Sequence, residues 1–133
     1  MTVPVLSQMV NTLALVILAF GISQRRKPRV HMPVMITAFA IDVINVLIVE
    51  IYARTQGDGA VEQGIEAFSS GESFLFQLHV TVSLLCIVGY VIAVHTGRKL
   101  FRHGIGRRLH RVNARVFICT RLISYVTSFW MMG

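Results

Sequence analysis

Four stretches of this chain are long and apolar enough to cross a bilayer, and the basic residues gather in only two of the gaps between them. Residues 1–24 and 73–97 contain no Asp, Glu, Lys or Arg, and residues 30–53 and 112–133 carry two charges each. A helix needs ~20 mostly apolar residues to span the ~30 Å hydrocarbon layer. Backbone N–H and C=O groups inside that layer must be paired within the segment, so the spans are helices. The expected fold is all-α: a polytopic membrane protein, one four-transmembrane-helix bundle over residues 1–133, with spans at about residues 3–22, 31–53, 74–96 and 110–132.

Charge placement sets the orientation. Arg25, Arg26, Lys27 and Arg29 lie between the first two spans, and Arg98, Lys99, Arg102, Arg107, Arg108 and Arg111 between the last two. The central connection, residues 54–72, has one Arg and four acids, Asp58, Glu62, Glu66 and Glu72. Positive loops stay inside. Loops 23–30 and 97–109 are therefore assigned to the cytoplasm, and both termini and the acidic loop to the outside, as in an integral protein of a bacterial inner membrane. A net charge of +7 would suggest nucleic acid in a soluble protein. Here the charges sit at membrane boundaries, so the expected partners of the basic loops are anionic lipid headgroups, with no nucleic acid.

The positive charges of the first segment follow its apolar run, the reverse of a signal peptide, so it is read as a retained helix. Pro28 and Pro33 suit the entry to the second helix, where a missing N–H costs little. Val61, Ile65 and Phe68 recur at helical spacing and suggest a short interfacial helix in the outer loop. Cys86 and Cys119 both fall inside spans, too few for a disulfide framework or a zinc module.

Function is sought in the polar groups kept inside the bilayer, because they are costly to place there. At 1.5 Å rise per residue, Asp42 and Arg121 both sit ~16 Å from their cytoplasmic ends. Asn11 reaches a similar level. Opposite charges at one depth offset each other's desolvation, so Asp42 and Arg121 are expected to form an intramembrane ion pair. The helical period gathers His31, Met35, Ala38, Asp42 and Asn45 on one face of the second helix. It gathers His79, Ser83, Cys86, Tyr90 and Ala93 on the third, and His110, Ala114, Phe117, Arg121, Tyr125 and Ser128 on the fourth. Asn11, Asn45 and Tyr125 thus join the polar interior.

Haem b is a candidate cofactor, because axial ligation needs histidines from different helices at matched depth. His31 and His110 meet that condition; His79 lies deeper, and Arg121 would suit a haem propionate. A copper site built from His31 with Met32 or Met35 is an alternative, so the metal is left open. The plain alternative is that these histidines bond other polar groups or lipid phosphates. No Walker, zincin, nucleophile-elbow or dinucleotide motif is present, so nothing points to an enzyme.

His31 with Met35 four residues on, then Thr37-Ala38-Phe39, then His79, then His110-Arg111 with Ala114-Arg115, and Val126-Thr127-Ser128 form a recognisable order. Over residues 25–132 the chain resembles the YozB/CtaM-type family of small four-helix membrane proteins, one class of which is linked to maturation of haem–copper terminal oxidases. Arg121 stands where that family has an aromatic. The resemblance implies an accessory or assembly protein of a respiratory or electron-transfer complex, with His31, His79 and His110 as its functional histidines and a larger membrane complex as its partner. Two alternatives stay open: a small b-type cytochrome with His-ligated haem, and a cofactor-free structural subunit.

Overall fold

The computed structural model describes residues 3–57, 59, 62, 66 and 74–132. All regular structure among them is helical: α1 (Val3–Ser23), α2 (Pro28–Thr55), α3 (Phe74–His103) and α4 (Arg107–Met132). The expected interfacial helix around Val61, Ile65 and Phe68 lies outside the described residues. The chain divides into two compact units, the hairpin α1–α2 and the hairpin α3–α4.

Three helices are long and apolar enough to cross a membrane: α1 over Val5–Ser23, all of α2, and α3 over Gln77–His103. The fourth is long enough but not apolar enough. Arg115 and Arg121 are spread through it, together with Asn113, Ser124, Thr127 and Ser128. What the sequence alone counts as four spans is thus four helices, of which three have the composition of a span.

Most large apolar side chains point outward, Leu18, Val82, Tyr90 and Phe117 being buried exceptions. Val16, Ile51, Leu84, Val91, Val116 and Trp130 are all exposed, while the most deeply buried residues are the small Ala14 and Ala38, each 0% exposed. In a soluble protein that distribution would be inside out. In hydrocarbon, exposed apolar surface costs nothing and small residues let backbones approach, so the pattern suits lipid.

The helices run past the expected span ends. α2 begins at Pro28, in the first turn, where no N–H is required. Pro33 therefore falls beyond that turn and takes away the N–H that would have bonded the Arg29 carbonyl. The 30-residue α3 is ~45 Å long at 1.5 Å per residue, well beyond a ~30 Å core. The region expected as a basic loop at 97–109 is accordingly mostly helix. Its chain reversal is confined to Gly104–Gly106, where Gly104 (φ 67°) and Gly106 (φ 85°) adopt the left-handed conformation that glycine takes without strain.

Candidate functional site

Each hairpin closes on a polar seam. In the first, small residues bring α1 and α2 together: a Cβ on Gly21 would meet Met35 Sδ at 2.6 Å and Val34 Cγ1 at 3.2 Å. That approach puts the His31 ring beside the end of α1, where His31 Nδ1 donates to the Gly21 carbonyl at 2.6 Å. Four turns along, Asn45 Nδ2 donates to the Ser7 carbonyl at 3.3 Å. These two bonds fix the antiparallel register. Within that register Asn11 stands opposite Asp42, both half-buried. The expected face of His31, Met35, Ala38, Asp42 and Asn45 is the face α2 turns to α1.

The second hairpin is joined by a ladder of short polar side chains. His79 Nδ1 meets Thr127 Oγ1 at 2.8 Å. Ser83 Oγ meets Ser124 Oγ at 3.0 Å, and Cys86 Sγ donates to Thr120 Oγ1 at 3.5 Å. Next, the Tyr90 and Phe117 rings pack at 4.5 Å between centroids, tilted by 56°. Phe117 can lie there because Gly89 opposite has no Cβ, which would sit 3.0 Å from Phe117 Cδ2. Asn113 Nδ2 donates to the Gly89 carbonyl at 3.1 Å. The last rung is Thr96 Oγ1 with His110 Nδ1 at 2.9 Å, over Gly97. On α3 the seam uses His79, Ser83, Cys86 and Tyr90 of the expected stripe, and adds Gly89 and Thr96, which lie outside it.

On α4 the seam differs from the expected stripe. It keeps His110 and Phe117 but otherwise uses Asn113, Thr120, Ser124 and Thr127, a rotation of about a quarter turn away from Ala114, Arg121 and Tyr125. Thr120, Ser124 and Thr127 share one face of α4 at helical spacing. The expected stripe is itself withdrawn from the surface, with Phe117 and Arg121 buried and His110, Ala114, Tyr125 and Ser128 half-buried. Arg121 is buried, at 5% exposure, and Tyr125 packs edge-on against Phe129 at 5.1 Å. Asp42 belongs to the first hairpin and Arg121 to the second.

Hydrogen-bond accounting assigns the tautomers. A carbonyl can only accept, so His31 carries its proton on Nδ1. Thr127 Oγ1 donates to the Ile123 carbonyl at 2.8 Å, so toward His79 it accepts. Thr96 Oγ1 donates to the Ile92 carbonyl at 2.8 Å, so toward His110 it also accepts. All three imidazoles are therefore Nδ1–H donors. A neutral ring in that state bears its lone pair on Nε2, the arrangement in which an outer hydrogen bond orients a ligating histidine.

Among the described residues no three His, Cys, Asp or Glu side chains converge as a metal cage. Met35 lies against Gly21. Exposed basic side chains line two shallow grooves in the second hairpin. One is formed by His95, Arg98, Lys99, Arg102 and His103, about 410 Å³. The other is formed by Arg107, Arg108, Arg111, Val112 and Arg115, about 510 Å³. No family model matches this chain, and no curated protein or solved structure matches it.

Proposed function

We propose that this protein is a four-span, non-catalytic accessory or assembly protein of an electron-transfer membrane complex, and that it handles haem through His31. The four-span reading is supported by the second seam. α3 has the composition of a span, and α4 pairs with it from Thr127 at one end to His110 at the other. A helix bonded along its length to a span lies at the same depth, and α4 turns much of its polarity inward onto that partner.

The haem reading is carried by one observation, the Nδ1–H of His31 held by the Gly21 carbonyl. That bond orients the ring and leaves Nε2 as its ligating atom. His31 also sits at the basic end of its hairpin, where Arg25, Arg26, Lys27 and Arg29 could hold propionates. Bound haem would supply an iron that shuttles between two oxidation states.

The test is a reduced-minus-oxidised absorption spectrum of the full chain purified in mild detergent after expression with haem supplied, with pyridine haemochrome quantification. Near-stoichiometric haem that His31→Ala abolishes, in a variant with unchanged helicity, is the expected result. A folded preparation without haem defeats the haem reading and favours the cofactor-free subunit. Haem that cycles reversibly in a protein isolated without any oxidase partner favours the b-type cytochrome.

A further inference from the structure

All six acids of the chain, Asp42, Glu50, Asp58, Glu62, Glu66 and Glu72, precede residue 74. The second hairpin has eight Lys or Arg, Arg98, Lys99, Arg102, Arg107, Arg108, Arg111, Arg115 and Arg121, and no acid at all. The hairpin therefore holds no counter-charge of its own. The concentration is greatest on α4. Arg107, Arg111 and Arg115 follow at intervals of four, so they share one face, and Arg108 borders it. All four are exposed. They line the shallow 510 Å³ groove together with Val112, an exposed apolar side chain among them.

Two further features raise the positive potential there. α4 has no acid in its first turn. It starts instead with Arg107 and Arg108, where the helix macrodipole is itself positive. Arg115 stands ~12 Å along the axis from Arg107, so the charge runs from the water interface toward the hydrocarbon. An exposed Val112 among guanidinium groups suits an amphiphile better than a free ion.

We infer that the Arg107–Arg108–Arg111–Arg115 face of α4 is a binding site for an anionic glycerophospholipid carrying two phosphodiesters. One phosphodiester brings a single charge and leaves most of the groove uncompensated. Two phosphates on one headgroup span the row and place acyl chains beside Val112. Guanidinium forks bind phosphate oxygens in pairs, so arginine rather than lysine is what such a site needs. The inference rests on the four-span reading but is independent of haem.

The test uses the full chain in a mild non-ionic detergent, with lipid bound per protein counted by native mass spectrometry. The probes are diphosphatidylglycerol, phosphatidylglycerol and inorganic phosphate. One diphosphatidylglycerol should bind at least tenfold more tightly than phosphatidylglycerol. Each of Arg107→Gln, Arg111→Gln and Arg115→Gln should weaken it about fivefold, the equivalent of about 1 kcal/mol per guanidinium. Arg111→Lys keeps the charge and should lose less. Arg98→Gln, in the other groove, should leave this binding unchanged. Equal affinity for the one- and two-phosphate lipids, or indifference to the α4 substitutions, overturns the site. Competition by millimolar inorganic phosphate would assign the groove to a free anion and overturn the lipid. The side of the membrane from which a cysteine at Gly133 is labelled tests the four-span reading separately, since a chain labelled there from the same side as a cysteine at Gly57 that ignores diphosphatidylglycerol defeats only the lipid site.

Discussion

Thr96 and Thr127 determine which nitrogen of His110 and His79 carries the proton, because each hydroxyl is already committed to a carbonyl one turn back. Thr127→Val keeps the shape and removes the acceptor. It should destabilise the protein by about 0.5–1.5 kcal/mol, because a half-buried ring N–H loses a hydrogen bond, whereas Thr127→Ser should stay near wild type. Thr96→Val should behave likewise toward His110. Thermal unfolding in detergent, followed by circular dichroism, measures both. The histidines were legible in the sequence, since a ring nitrogen at bilayer depth must be accommodated. Their threonine partners were not. A threonine in a spanning helix can satisfy itself on its own backbone, and nothing in its spacing says that it also serves a neighbouring helix.

At the scale of the element, charge and helix end proved to be different things. The basic residues set the expected edge of the hydrocarbon, but a helix stops only where its backbone must. α3 runs on through Arg98, Lys99 and Arg102 to His103 and is ended by Gly104 and Gly106. Arg102 and His103 in its last turn also favour the negative end of the macrodipole. Replacing Gly104 or Gly106 by Ala should cost about 1–2 kcal/mol each, the penalty of a Cβ in the left-handed region, although neither would touch another atom. A lower midpoint of thermal unfolding with unchanged helicity is the expected result. Gly57 also has a positive φ, at 140°, but the sequence marks it no differently from any other loop glycine. The faces of α2 and α3 could be read from period alone because their polar residues form one stripe each. α4 carries two, the hydroxyl one bonded to α3 and, beside it, one that holds the buried Arg121.

For the whole molecule, hydropathy alone separates three helices from the fourth, and the two counts place the C-terminus on opposite sides of the membrane. Four spans put it with the acidic connection, and three would leave it with Arg25–Arg29 and Arg98–Arg111. A cysteine introduced at Gly133 in a background lacking Cys86 and Cys119, labelled with a membrane-impermeant maleimide in right-side-out and inverted vesicles, decides between them. Labelling from the same side as a cysteine at Gly57 is expected.

The α3–α4 ladder carries a mechanical consequence. Its two ends use the same pair of residue types with the roles exchanged: α3 offers His79 and then Thr96, α4 offers Thr127 and then His110. Sliding one helix past the other by a turn, ~5.4 Å, brings His110 to Ile92 and Ala93 in one direction and to Lys99 and Leu100 in the other. Neither offers a hydroxyl, so no shifted register restores both clamps. Individual hydrogen bonds of this kind contribute only about 0.6 kcal/mol on average in a membrane, too little to dominate stability but enough, taken together, to select one register. The hairpin is thus a strut rather than a piston, and any stroke this protein makes must be taken up elsewhere in the chain.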